Sequence, residues 1–245
     1  MKMATVKNRL LDTDLFIYQN DDWFKFSLDS VLLSKFVTIN LRHKKVIDLA
    51  TGNAPIPLLL TFRTKASILG VEYQECIYQL GQQSILENHK EEQIHLINED
   101  VCNLKKRFCS DSFDVVTCNP PYFKTKNIGF LNDNSVKSLA RHEVTLTLDD
   151  VVSQASYLLK NGGIFAMVHR TERMVEIMEK MRQYHLEPKR VQFIYPKRGR
   201  DSDLFLIEGI KNGKVGLKML SPLVVHKEDN TYTDEVLEIL NFDKR

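Results

Sequence analysis

The sequence lacks the cysteine and histidine patterns of a metal site. Its four cysteines are Cys76, Cys102, Cys109 and Cys118. They form no Cys-x-x-Cys pair and no His/Cys ligand spacing. Cysteines without such pairing are typical of a reducing compartment. We therefore expect an intracellular protein that binds no metal ion.

Long apolar runs are also absent. No stretch approaches the roughly 18–20 apolar residues of a membrane span, and no apolar segment of a signal peptide follows the early basic residues Lys2, Lys7 and Arg9. The chain shows no internal repeat and no low-complexity segment. These absences predict a soluble, cytoplasmic protein of one domain covering residues 1–245, with no membrane partner.

A strong net charge is the third absence, since the formal charge is +2. Basic residues nevertheless cluster between positions 189 and 218. The cluster consists of Lys189, Arg190, Lys197, Arg198, Arg200, Lys211, Lys214 and Lys218. A solvated protein face is the ordinary interpretation of such a cluster, and a surface for a phosphate backbone is the alternative.

From residue 45 onward the sequence alternates between short apolar runs and amphipathic segments. The predicted strands are Val46–Ala50, Ile68–Tyr73, Ile94–Ile97, Phe113–Cys118, Ile164–Val168, Arg190–Tyr195 and Asp203–Ile210. The predicted helices are Ile56–Thr61, Gln74–His89, Leu148–Leu159 and Thr171–Tyr184. The last two strands are close enough in sequence to form an antiparallel pair. The pattern predicts an α/β protein with a seven-stranded, mostly parallel sheet covered by helices on both faces.

Two further segments flank this predicted core of residues 45–211. An N-terminal extension, residues 1–44, is expected to hold a β-hairpin of Leu15–Tyr18 and Trp23–Phe26, followed by a helix capped by Ser27. A C-terminal tail, residues 212–245, is expected to pack on the core and to contain a helix near Asp234–Leu240.

The loop after the first core strand, Asp48 to Ala54, consists mainly of small residues. It resembles the methyltransferase pattern acid-x-Gly-x-Gly-x-Gly, with only Gly52 retained and with Ala50 and Ala54 in place of the other glycines. Small residues let a ligand approach the backbone, although alanine adopts a positive φ less readily than glycine. Asp48, Ala50, Gly52 and Asn53 are therefore candidate cofactor-binding residues, and a plain β–α turn is the alternative.

Acidic residues follow the next two predicted strands. Glu72, with its neighbour Tyr73, ends the second strand, where a carboxylate can accept the hydroxyl protons of a ribose. Asp100 and Val101 follow the third strand and are expected to meet the adenine of the same cofactor. Glu99 was the competing acid, and the register of the strand favours Asp100.

Asn119-Pro120-Pro121-Tyr122 follows the fourth strand directly and is the most specific motif. An amino group conjugated to a ring is a poor nucleophile because its lone pair is delocalised. The Asn119 oxygen and the Pro120 carbonyl can accept its two hydrogens, while Tyr122 stacks on the ring. These four residues are the candidate catalytic residues, and Asn119 is also a candidate cofactor contact.

Taken together, these motifs make the chain resemble the bacterial tRNA1(Val) adenine-37 N6-methyltransferase family. The resemblance covers nearly the whole chain. It also includes Phe26–Leu33, Arg141-His142-Glu143, Val168–Arg173, Glu187–Arg190 and Glu208–Lys211. It implies a Rossmann-like class I methyltransferase that uses S-adenosyl-L-methionine (SAM) to methylate N6 of adenine 37 in the anticodon loop of tRNA1(Val). We expect the protein to act as a monomer.

The resemblance also suggests which residues contact the RNA. The candidate substrate-binding residues are Tyr122, Lys124, Lys126, Arg141, His142, Arg170, Lys197, Arg198 and Arg200. Asp29 is expected either to contact the cofactor or simply to occupy the first turn of its helix, where negative charge is favourable.

Other functions share parts of this pattern. A protein-glutamine N5-methyltransferase faces the same lone-pair problem, as do DNA adenine and rRNA guanine methyltransferases. The chain has no separate target-recognition region of the kind expected for the DNA enzymes. A non-catalytic RNA-binding protein with a decayed cofactor loop is a further alternative, and it would not bind SAM.

Overall fold

The computed structural model describes residues 5–11, 13–20, 27–120 and 146–242. The strands in these ranges are β1 (Thr5–Arg9), β2 (Phe16–Asn20), β3 (Lys45–Leu49), β4 (Ser67–Glu72), β5 (Ile94–Asn98), β6 (Phe113–Cys118), β7 (Leu159–Arg170), β8 (Leu186–Tyr195), β9 (Leu204–Lys211), β10 (Lys218–Met219) and β11 (Leu223–Val224). The helices are α1 (Leu28–Phe36), α2 (Pro55–Leu60), α3 (Glu75–Glu87), α4 (Leu104–Arg107), α5 (Leu148–Leu158), α6 (Met174–Gln183) and α7 (Asp234–Leu240).

The main sheet has the strand order β10-β8-β9-β7-β6-β3-β4-β5, with β11 also paired to β8. Strands β3 to β7 pair in parallel, and β9 lies antiparallel between β7 and β8. The predicted α/β fold and the closing antiparallel pair are confirmed. The seven predicted strands are β3 to β9, and the two-residue strands β10 and β11 extend the sheet to nine strands.

Apolar layers cover both faces of this sheet. Successive residues of a strand face opposite layers: Val46 packs with α1 and α2, whereas its neighbour Ile47 packs with α5 and α6. Both residues are fully buried. Burial on both faces explains why the core strands are apolar throughout instead of alternating with polar residues.

The N-terminal hairpin differs from the prediction. Strand β2 pairs with β1, residue Thr5 opposite Asn20 and Arg9 opposite Phe16. Strand β1 was not predicted from the sequence, and the second predicted run, Trp23–Phe26, lies outside the described residues. The hairpin docks on α3, where Tyr18 N donates to Ser84 Oγ at 2.9 Å.

The helices differ in how their first residues are capped. Thr147 and Asp150 form a reciprocal capping box at the start of α5. Ser27 occupies the N-cap position of α1, as predicted, but its hydroxyl makes no capping bond. The predicted helix from Thr171 begins instead as a 3₁₀ turn, Thr171–Arg173, and becomes α-helical at Met174.

Candidate active site

Four sequence motifs meet at one edge of the sheet. β5, β4, β3 and β6 are adjacent and parallel. Their carboxyl ends therefore open onto the same side, where ligands bind in open α/β sheets. The residues that follow these strands are Asp100, Tyr73, Ala50 and Asn119, in the spatial order of the strands.

The loop after β3 takes an unusual backbone path. Ala50, Gly52 and Ala54 all have positive φ angles, of 53°, 60° and 70°. Alanine at such a φ costs on the order of 1–2 kcal/mol. The two alanines thus keep the left-handed conformation that glycine would adopt freely. A Cβ added at Gly52 would meet no atom within 4 Å, so this side of the loop is open.

Asp48 binds the loop after β3 from within the sheet. Its carboxyl group is fully buried and accepts hydrogen bonds from the hydroxyls of Thr51 and Thr117, both at 2.6 Å. Burial raises the pKa of this carboxyl group to about 7, against the opposing effect of the two hydroxyls. The structure thus places Asp48 inside the sheet, between the loop after β3 and strand β6. Thr117 is a residue that the sequence analysis missed, although it is two residues before Asn119 and hence on the same strand face.

Glu72, the last residue of the neighbouring strand β4, also binds the loop after β3. Its carboxylate accepts the N–H groups of Gly52, at 2.9 Å, and Gln74, at 2.8 Å. Burial raises its pKa, and these backbone donors oppose the shift. The side chain of Asn98, also missed from sequence, donates to the carbonyls of Glu72 and Tyr73 at 2.9 and 2.6 Å. Tyr73 itself is half exposed at this edge.

Asp100 and Glu99 both make local contacts after β5. Asp100 Oδ1 accepts from Cys102 N at 2.8 Å and so caps the 3₁₀ turn that begins at Val101. Glu99 Oε1 accepts from Asp100 N and from Asn103 Nδ2. Val101 is buried directly beside them.

Asn119 follows β6 and reaches the N-terminal extension. Its Nδ2 donates to Ser30 Oγ of α1 at 3.0 Å. Ser30 is buried, and the sequence analysis singled out only its neighbour Asp29, which lies in the first turn of α1. Pro120 is buried. Pro121 and Tyr122 lie outside the described residues.

The hairpin reaches the same edge. Asn53 is buried, and its Nδ2 donates to the carbonyl of Tyr18 in β2 at 2.8 Å. The predicted cofactor residue Asn53 therefore ties the loop to the extension in this structure. Nothing in the spacing of Tyr18 and Asn53 marks this pairing in the sequence, because 35 residues separate them.

The predicted RNA-contacting residues divide into two groups. Tyr122, Lys124, Lys126, Arg141 and His142 lie outside the described residues. Arg170 is exposed at the end of β7, and the other three lie in the connection between β8 and β9.

This connection lies at the active-site edge. Since β9 is antiparallel to both β7 and β8, the carboxyl end of β8 lies on the same side as that of β7. Arg198 and Arg200 are exposed there, whereas Lys197 Nζ donates to the carbonyl of Glu228 at 3.0 Å. Strand β8, from which the connection starts, is three strands away from β6, which ends at Asn119. The connection is therefore about three strand spacings, of about 5 Å each, from Asn119 along the sheet.

His169 has a different environment from its neighbour Arg170. It is 1% exposed, and its Nδ1 accepts from Arg170 N at 2.8 Å. Burial lowers its pKa to about 4. The ring is therefore neutral at pH 7.

Two further features of the described residues concern membrane spans and metal ions. None of the helices there combines the length and apolar composition that a membrane span requires. In the same ranges, no group of three His, Cys, Asp or Glu side chains is arranged to hold a metal ion.

Comparison with known proteins agrees with this fold. Residues 40–240 match the model of a methyltransferase domain family. A predicted O-methyltransferase from Agrobacterium tumefaciens superposes with a TM-score of 0.69 at 20% identity, covering 87% of this chain and 96% of that one. The geranyl diphosphate C-methyltransferase of Streptomyces coelicolor, solved with S-adenosyl-L-homocysteine, gives a TM-score of 0.57 at 12% identity, covering 75% and 80%.

The chain belongs to this methyltransferase domain family, and its fold is that of the class I, SAM-dependent methyltransferases. Similar sequences narrow the comparison further. The tRNA1(Val) (adenine(37)-N6)-methyltransferase of Cytophaga hutchinsonii is 22% identical over 230 residues, covering 91% of this chain and 92% of the relative. Those of Bacteroides thetaiotaomicron and Mannheimia succiniciproducens are 25% and 26% identical, covering 86% and 88% of this chain and 87% and 85% of the relatives.

Proposed function

We propose that this protein transfers the methyl group of SAM to the N6 amino group of an adenine in tRNA, and that the target is adenine 37 of tRNA1(Val). The observation that carries the proposal is Asn119-Pro120 at the carboxyl end of β6, beside the loop after β3. Relatives that are similar in sequence over most of the chain carry the name of that activity.

The residues at this edge fit SAM. The open side of Gly52 leaves room for the ligand against the backbone, and the Glu72 carboxylate beside it offers acceptors for ribose hydroxyls. Asp100 and Val101 lie one strand further on, where an adenine ring would follow the ribose. When bound, SAM supplies an electrophilic methyl group on a sulfonium ion.

Asn119 and Pro120 would act on the amino group of the target base. The Asn119 side-chain oxygen and the Pro120 carbonyl would accept its two hydrogens and localise the nitrogen lone pair towards the methyl group. No strong base is needed, because the proton can leave after transfer. The reaction is then a direct displacement that depends mainly on positioning.

Basic residues at the same edge suit an RNA substrate. Arg170, Arg198 and Arg200 are exposed there, within reach of phosphates flanking a base held at Asn119. A base in an anticodon loop is already single-stranded, so extruding it costs only some stacking energy. A tRNA substrate would place the protein in the cytoplasm.

The test is methyl transfer to unmodified tRNA from a strain that lacks this protein. Purified protein and labelled SAM are added, and the RNA is digested to nucleosides. We expect labelled N6-methyladenosine, and hybrid selection of tRNA1(Val) should recover it at position 37. Label in another tRNA would contradict the specific target only. Label in a protein such as a release factor, or none at all, would contradict the reaction.

A further inference from the structure

A hydrogen bond between Ser30 and Asn119 joins two parts of the chain that are distant in sequence. Ser30 lies in α1, within the N-terminal extension, and Asn119 follows β6 of the core. Asn119 Nδ2 donates to Ser30 Oγ at 3.0 Å, and the serine side chain is 4% exposed. The hydrogen bond is partly buried, and it ties the half-buried Asn119 side chain to a hydroxyl that is itself buried.

In the orientation that the structure gives, this hydrogen bond places the nitrogen end of the Asn119 amide at α1. A side-chain amide has an accepting oxygen and a donating nitrogen on opposite sides. The proposed reaction needs the oxygen to accept a hydrogen of the target amino group. With the nitrogen held at Ser30, the oxygen points away from α1. The reverse orientation would present a donor to the amino hydrogens and repel them.

We infer that Ser30 is a positioning residue that holds the Asn119 amide in place for methyl transfer. The inference rests on the proposed function, because it concerns the same amino group. It makes α1, outside the Rossmann-like core, part of the machinery for transfer.

The helix that carries Ser30 is firmly held. Just beyond the end of α1, the buried carboxylate of Glu208 in β9 accepts from Thr38 N at 2.6 Å and Thr38 Oγ1 at 2.9 Å. Arg190 of β8 donates to the carbonyl of Phe36 at 3.2 Å. The Ser30 hydroxyl is thus presented from an element anchored to the sheet.

The chain offers a matched control for this role. Ser34 lies one turn after Ser30 on α1, is fully buried, and makes a hydrogen bond of its own, but its recorded contact is with the helix backbone. Ser34→Ala therefore removes a buried hydroxyl from the same helix while leaving the bond between Ser30 and Asn119. Ser30→Ala removes that bond.

The kinetic test compares these two variants with the unaltered protein under single-turnover conditions. We expect Ser30→Ala to lower the transfer rate about tenfold or more, because small errors of position reduce the rate of a displacement strongly. The KM for tRNA and the Kd for SAM should stay within about twofold, since uniform binding is not affected. Ser34→Ala should transfer at close to the normal rate. Equal rates in Ser30→Ala and the unaltered protein, or equal losses in both variants, would overturn the inference.

A spectroscopic readout separates this inference from the proposed function. The side-chain N–H signals of Asn119 can be assigned in the ¹⁵N-labelled protein by their loss in Asn119→Ala. We expect them to shift in Ser30→Ala and to remain in place in Ser34→Ala. Unchanged signals in Ser30→Ala would overturn the inference. Failure of the unaltered protein to methylate RNA would contradict the proposed function, and the N–H signals would still decide whether Ser30 holds the amide.

Discussion

At the scale of single residues, Asp48 shows how far a side chain's role depends on its surroundings. Its place in the motif predicted a cofactor contact, but its partners in the structure are Thr51 and Thr117. The bond to Thr117 could not be derived from the sequence, because it depends on how β3 and β6 pair. The assignment of individual residues to cofactor and substrate stays a prediction.

The buried Asp48 carboxyl group should make stability depend on pH. Its folded pKa of about 7 lies above the ordinary value of 3.8, so the proton is bound more tightly in the folded state. The resulting stabilisation is complete below the unfolded pKa and is lost as the pH rises through the folded pKa. The free energy of unfolding, relative to Asp48→Asn, should therefore fall by on the order of 2 kcal/mol between pH 5 and pH 8.

Denaturant unfolding at several pH values measures this difference. Comparison with the variant cancels groups common to both proteins, such as His169, whose lowered pKa acts in the opposite direction at lower pH. A constant difference across this pH range would show that Asp48 is ionised throughout.

Ala50 gives a second prediction at this scale. Its φ of 53° is unfavourable for alanine, so Ala50→Gly should relieve strain in the folded state. Glycine also raises the conformational entropy of the unfolded chain, which lowers stability, but this effect should be smaller than the strain that is relieved. We expect the free energy of unfolding to rise by up to about 1 kcal/mol. The control is Ala66→Gly, at a buried alanine outside the positive-φ set, which should lose stability. A comparable loss in both variants would argue against strain at Ala50.

At the scale of elements, the strands and helices of the core were largely predictable. Their apolar runs are continuous, and the observed bounds of β3 to β6 differ from the predicted ones by one residue or less. Strand β1 was not predictable, because Thr-Val-Lys-Asn-Arg offers no apolar run, and its residues are exposed or half-buried. It forms because β2 supplies a neighbouring edge.

Asn88 should control how firmly the hairpin is attached. Its side chain accepts from Phe16 N at 2.8 Å and donates to the carbonyl of Phe16 at 2.6 Å. Loss of two hydrogen bonds worth about 1 kcal/mol each should make Asn88→Ala speed hydrogen exchange of the β1 and β2 amides by about tenfold or more, without a comparable effect in β3 to β6. Asn161→Ala, at an exposed asparagine in β7, serves as the control. Uniform acceleration across all strands would mean that the hairpin unfolds only with the whole protein.

At the scale of the whole molecule, topology sets where the active site lies. Parallel strands place the four motifs on one edge, and this much follows from the alternating pattern of the sequence. Strands β10 and β11 could not be predicted from the sequence, because two residues are too few to show an apolar pattern. The division into residues 1–44, 45–211 and 212–245 stays a prediction, as does the monomeric state.

The placement of Arg198 and Arg200 predicts a salt-dependent interaction with tRNA. If each contacts a phosphate, Arg198→Ala and Arg200→Ala should each reduce the slope of log K against log salt by about 0.7–1. Arg42→Ala is the matched control, because Arg42 is exposed before β3, at the opposite edge of the sheet. Equal slopes in all three variants and the unaltered protein would show that the connection between β8 and β9 does not contact the RNA phosphates.

The most direct test of the account is the behaviour of Asn119→Ala. The alanine variant keeps the loop after β3 and Glu72, so SAM titration should give a Kd within a few-fold of that of the unaltered protein. Transfer to tRNA should fall by at least about a hundredfold, because the variant no longer accepts a hydrogen of the amino group. Retained SAM binding with lost transfer is the predicted result; near-normal transfer by Asn119→Ala would contradict the central claim that this side chain activates the target nitrogen.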